Sequence, residues 1–215
     1  MKSIWHQFKV LLPTMFVVYI PAVAVLCVVV ILRLQTGIPI SHFTRDPLRV
    51  AEAPLYSGIV SNIGILLWCT SAVICLFSST ILRKGNDKEL SSFLLISGLI
   101  TSALLLDDFF LLHENILPVY LYTPEKVVMT GYGIMMSFYL IRFRRKILET
   151  EFLLLLFALG FFGFSLVVDI GLIHVRPHYL FEDGSKLLGI VSWSTYFARV
   201  CLKQISNAVG TSRCE

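Results

Sequence analysis

Six predominantly apolar runs leave this chain few ways to fold. They cover residues 10–32, 56–82, 90–112, 125–141, 152–173 and 181–202, each at or near the roughly 20 residues that a helix needs to cross a bilayer. Inside lipid every backbone N–H and C=O must be satisfied within the protein, so runs of this length read as helices. With 56% hydrophobic and only 15% charged residues, and a mean hydropathy of +0.80, the chain is too apolar for a soluble domain of this size. The expected fold is all-α: an integral membrane bundle of six transmembrane helices, forming a single domain over residues 1–215. The first run is too long for the core of a cleavable signal peptide and reads as an anchor that stays.

Charge sets the orientation. Lys2, Lys9, Arg83, Lys84, Lys88, Arg142, Arg144, Arg145, Lys146, Arg199, Lys203 and Arg213 fall on one side of the drawn topology, twelve of the eighteen Lys and Arg. The positive-inside rule makes that side cytoplasmic, with both termini inside. The net charge of +4 is then a topology signal and calls for no nucleic-acid partner. The expected location is a bacterial inner membrane, with the lipid bilayer as constant partner. The longest external segment, 33–55, carries Asp46 before Pro47, the start signal of a short interfacial helix.

Acidic and imidazole groups segregate the opposite way. Asp46, Glu52, Asp107, Asp108, Glu114, Glu125, Asp169, Glu182 and Asp183 lie on the external side, nine of fourteen carboxylates, with His42, His113, His174 and His178, four of five histidines. Asp107 and Asp108 are the costliest, because each ends an apolar run where lipid and the negative end of the helix dipole both oppose a carboxylate. Asp169 is placed likewise. Glu182 and Asp183 open the sixth run, where N-terminal capping alone could hold them, and Glu182 and Lys186 stand one turn apart as an ion pair.

A shared partner would offset the cost at Asp107, Asp108 and Asp169. A divalent Zn, Fe or Mn ion suits a set drawn from Asp107, Asp108, Asp169, His174, His178, Glu182 and Asp183. Such an ion could activate water for attack, with Asp107, Asp108, His113 or Glu114 as base and Lys186 as charge partner. On a regular helix Asp107 and Glu114 lie roughly 10 Å apart, so one segment could not supply every ligand. Asn62 on the second run is a further candidate, since a buried amide needs partners. The five cysteines offer no external pair for a disulfide and read as packing residues. Gly58, Ser61, Gly64, Gly98, Ser102, Gly131, Gly133, Gly160 and Gly163 form surfaces small enough for helices to approach closely.

The order of Ser61 on an early helix, Asp107 or Asp108 on the next, and His174 with His178 late in the chain resembles the seven-helix hydrolase superfamily of alkaline ceramidases and progestin and adipoQ receptors. That resemblance implies zinc and amide hydrolysis. The stretches 106–114, Leu-Asp-Asp-Phe-Phe-Leu-Leu-His-Glu, and 182–189, Glu-Asp-Gly-Ser-Lys-Leu-Leu-Gly, also resemble small bacterial multi-pass membrane proteins sometimes labelled transporters. Three functions remain open: a metal-dependent hydrolase acting on a lipid or other amphipathic substrate at an outward-facing site; a small ion- or proton-coupled transporter or channel; and a non-catalytic subunit of a membrane assembly or homo-oligomer. In the last, Trp68, Trp193 and the phenylalanines would form surface facing lipid or a partner.

Overall fold

The computed structural model describes residues 4–211 apart from positions 46, 55, 84–86 and 171–176. The residues Lys2, Asp46, Lys84, His174 and Arg213 singled out in the sequence therefore lie outside the described residues. Everything regular in them is helical, with no strand among the described residues. Three helices are long and apolar enough to cross a membrane, over Met15–Thr36, Ile59–Leu82 and Lys88–Phe110, and Leu153–Asp169 is a shorter apolar helix.

The chain divides into two compact units. The first holds α1 (Ile4–Thr36), which continues through Pro13 and Pro21, and two one-turn helices, α2 (Ser41–Thr44) and α3 (Pro47–Val50). Arg33 closes the end of α1 by reaching the carbonyl of Gly37, as a basic side chain does at the negative end of a helix.

The second unit contains α4 (Ile59–Leu82), α5 (Lys88–Phe110), a π-helical turn (Leu112–Ile116), α6 (Leu117–Leu121), α7 (Glu125–Leu148), α8 (Leu153–Asp169) and α9 (His178–Thr211). Its pairings follow from specific contacts. Ser79 and Ser91 bond each other's carbonyls at 2.8 and 3.0 Å where α5 runs back along α4. A Cβ on Gly98 would meet Leu76 Cγ at 2.7 Å and its backbone N at 3.2 Å, so these two helices touch backbone to side chain. Helix α9 lies beside α4, with the Ser71 hydroxyl donating to Ser194 Oγ at 2.8 Å, and beside α5, with Trp193 Nε1 donating to Thr101 Oγ1 at 3.1 Å. Gly189 of α9 faces the ring of Phe162 on α8, and Ser97 of α5 shares a 2.7 Å bond with the Tyr139 hydroxyl of α7. These bonds satisfy hydroxyls and indoles that the apolar interior could not otherwise hold.

The core is aromatic. Trp68, Phe93, Tyr139, Phe143, Trp193, Tyr196 and Phe197 are all buried and form a chain of ring contacts such as Trp68 on Trp193 at 5.9 Å and Trp193 on Phe197 at 5.0 Å. The expectation that Trp68 and Trp193 face lipid or a partner is overturned: they are 3% and 0% exposed. Their indole N–H groups explain why, because each finds an acceptor inside the bundle. The small-residue surfaces divide. Gly64 and Gly98 make close approaches, whereas Gly131, Gly133, Gly160 and Gly163 have nothing within 4 Å of an added Cβ.

One end of this unit is stitched by ion pairs between the basic residues and the remaining carboxylates. Lys146 meets Asp87 at 2.8 Å and Glu149 at 3.3 Å, Arg142 meets Glu89 at 3.6 Å, and Arg199 forks onto Glu151. Asp87 also accepts from the Leu90 N–H at 2.9 Å, capping α5. Its hydrogen bond with Lys146 holds its carboxyl below the usual carboxylate range. The opposite end carries the acidic and imidazole groups.

Candidate functional site

Helix α5 stops because Leu111 turns left-handed, with φ 51° and ψ 46°, a conformation that costs a non-glycine residue about 1 kcal/mol or more. The chain then tightens into the π-helical turn, where the Ile116 N–H reaches back five residues to the Leu111 carbonyl at 3.3 Å. Asp107 holds this turn in place. Its Oδ1 accepts the His113 backbone N–H at 3.0 Å and its Oδ2 lies 2.5 Å from His113 Nδ1. Both side chains are almost fully buried, 7% exposed for His113 and 5% for Asp107. A regular helix would have sent Asp107 and His113 to different faces; the left-handed residue brings them together.

His113 has a second acceptor, Glu114 Oε1 at 3.5 Å from Nε2. A neutral imidazole can donate from one nitrogen only, so carboxylates at both favour the imidazolium. The hydrogen bond to Asp107 accordingly raises the His113 pKa above its ordinary value, against the opposing effect of burial. The phenol of Tyr132 on α7 is close enough to Asp107 to interact with it.

Asp108 points elsewhere and has its own partners. Oδ1 receives Lys186 Nζ of α9 at 2.7 Å, and Oδ2 accepts Trp68 Nε1 of α4 at 2.9 Å. Three helices thus converge on one carboxylate. Its side chain is 13% exposed and that of Lys186 39%, so the pair is partly screened but far from free in water. Beside it lies a cavity of about 40 Å³ lined by Ser61, Gly64, Asp108, Asp183, Lys186 and Ile190. That volume admits a water or two, or a bare cation, given that one water needs only some 10–15 Å³ of such space.

The remaining candidates fall around these pairs. Helix α9 begins at His178, so Glu182 and Asp183 stand beyond its first turn, and the N-terminal capping expected of them does not occur. Nor does Glu182 pair with Lys186. It meets His178 Nδ1 at 3.2 Å, one turn back, while His178 Nε2 lies 3.1 Å from the Val168 carbonyl and so ties α9 to the end of α8. Helix α9 starts three residues earlier than the apolar run suggests, which places His178 one turn before Glu182, and Lys186 reaches across to Asp108. Asp169 is exposed and makes no hydrogen bond or ion pair among the described residues. Asn62 is exposed as well, so it is not the buried amide expected.

Among the described residues no single group partners Asp107, Asp108 and Asp169 together. Two of the three have separate cationic partners, and the third is unburied. Among the described residues no group of three or more His, Cys, Asp and Glu is arranged to hold a metal ion. In the described arrangement Asp107 is paired with His113 and Asp108 with Lys186. Trp68 and Tyr132 are the residues that the sequence reading missed. For Trp68 a signal existed, since an indole N–H within an apolar run must find an acceptor.

Residues 19–200 match the family described as a domain of unknown function, DUF8692. The chain belongs to DUF8692. The match takes in every helix that builds the site, from α4 to most of α9, and the family's description assigns no chemistry to it. No curated protein and no solved structure matches this DUF8692 chain. The chemistry must therefore be read from the two charged pairs themselves.

Proposed function

We propose that this DUF8692 protein is a small proton-translocating carrier of a bacterial inner membrane, with six spans, both termini cytoplasmic and its charged site facing outward. The observation that carries this reading is the Asp108–Lys186 pair beside a cavity of about 40 Å³. A cavity of that size takes a proton carrier such as water, and no lipid headgroup. Lys186 neutralises Asp108 only while that carboxylate is ionised. Protonation of Asp108 frees the ammonium to move toward Asp183, on the same cavity wall, and loosens the junction of α5 with α9.

The second pair, Asp107 with His113, supports the same reading, because an imidazole between two carboxylates stores a proton next to the cavity-lining Asp108. Inward of Trp68 the aromatic core closes the bundle, so this conformation corresponds to a carrier open on one side. Translocation would require the α5–α9 contact to rearrange, as in alternating access.

The hydrolase reading ranks below it. Among the described residues no hydrogen bond joins Ser61 to a histidine, and the carboxylates are committed to Lys186 and His113. Elemental analysis of the purified protein separates the two. The carrier reading expects no stoichiometric divalent metal. One zinc, iron or manganese per chain, lost in Asp108→Asn, would overturn it.

A further inference from the structure

The basic end of the bundle carries a larger cavity that the proton site does not use. It has a volume of about 350 Å³ and opens between the turn joining α7 to α8 and the later turns of α9, lined by Glu149, Glu151, Arg199, Leu202 and Lys203 among others. That volume is in the range of small-molecule sites, roughly 300–1,000 Å³. We propose that it binds the headgroup of a zwitterionic phospholipid, a phosphodiester joined to a primary ammonium. The inference rests on the membrane placement given above but not on proton transport.

Two carboxylates and two cations line this cavity, so its formal charge is balanced. A simple anion would meet as much repulsion as attraction, whereas a zwitterion finds a counter-charge for each of its ends. Arg199 and Lys203 stand one turn apart on α9, on the same face. Arg199 is forked onto Glu151, with Nη2 donating to Oε1 at 2.8 Å, and the guanidinium holds the Glu151 carboxyl below its ordinary pKa. The fork leaves other guanidinium N–H groups for a phosphate oxygen. Lys203 acts on Glu151 through its charge but makes no hydrogen bond or ion pair with it among the described residues, so its three donors are available to the same phosphate. Glu149, 63% exposed, is held among the described residues by Lys146 at 3.3 Å and keeps acceptor capacity for a lipid ammonium. Leu202, 72% exposed at the edge of the cavity, offers apolar surface where the acyl chains would begin. A site of mixed charge meeting bare hydrocarbon at the basic end of a membrane bundle matches the inner-leaflet headgroup layer.

Native mass spectrometry of the delipidated full chain in detergent tests this, with phosphatidylethanolamine, phosphatidylglycerol and phosphatidylcholine of identical acyl chains as probes. Phosphatidylethanolamine should be retained at about tenfold lower concentration than either of the others, the worth of one charge-assisted hydrogen bond. Lys203→Gln, an exposed change that leaves the packing untouched, should lower its retention by about tenfold, and Glu149→Gln should remove its advantage over phosphatidylglycerol. Equal or better retention of phosphatidylglycerol, or displacement of the lipid by millimolar inorganic phosphate, would make this an anion site and overturn the proposal. Retention of phosphatidylcholine equal to that of phosphatidylethanolamine, or no effect of Lys203→Gln, would overturn it as well. None of these outcomes depends on whether protons move at the other end.

Discussion

Asp107 and Asp108 are neighbours in sequence with opposite fates, and the difference lies in what each can reach. Asp108, on the face of α5 toward α4 and α9, finds Lys186 and Trp68. Removing its charge with Asp108→Asn leaves the Lys186 ammonium without its ion-pair partner, with Asp183 as the carboxylate left on the same cavity, and should cost about 2–3 kcal/mol, somewhat less than for a fully buried pair. Adding Lys186→Met should recover most of that loss, as a double-mutant cycle of thermal stability in detergent would show; a double variant no more stable than the single would mean that the two side chains are not coupled. His113 supplies a pH signature. Its folded pKa is raised from 6.5, so the stabilisation from its pairing with Asp107 is fully present below about pH 6.5 and fades as pH climbs through the raised value. Melting temperature in detergent should fall over that alkaline window in the parent and fall less in His113→Gln. Acidic residues at this end of α5 were legible in the sequence. Their separate partners were not, because the left-handed Leu111 that redirects His113 carries no glycine or proline to announce it.

Elements were legible as apolar runs and much less so at their ends. The third run appears as α5 within two residues at each end, because Asp87 caps its start through the Leu90 N–H and Leu111 stops it. Helix α9 starts at His178 instead of 181, and the added turn brings His178 within reach of Glu182. Close approach is also a property of pairs of elements that one sequence does not reveal. Gly98 and Gly163 look alike in apolar surroundings, yet only the first has a neighbouring helix against its Cα. Gly98→Ala should separate α4 from α5 at a cost of about 1–3 kcal/mol, while Gly163→Ala should be neutral or slightly stabilising by helix propensity. Thermal melting of the two variants side by side checks this; equal effects would contradict the α4–α5 contact. Gly189, which faces Phe162 just as closely, drew no notice as a contact in the sequence because it stands alone between leucine and isoleucine.

At the scale of the whole molecule, the segregation of charge was the most readable property and the most informative. Basic residues collect at one end of the second unit, where ion pairs bind successive helices, and carboxylates with histidines collect at the other. What the sequence could not reveal is that, among the described residues, this second group falls into neighbouring pairs, Asp107 with His113, Asp108 with Lys186 and Glu182 with His178. That pairing turns the functional reading from hydrolysis toward proton movement. Its most direct test is potential-driven proton flux into liposomes containing the full chain, followed by an internal pH-sensitive dye with the membrane potential set by a potassium gradient and valinomycin. The account predicts flux above that of protein-free liposomes, lost in Asp108→Asn and in the restabilised Asp108→Asn/Lys186→Met double variant. Flux no greater than in protein-free liposomes, or flux unchanged in both variants, would contradict it.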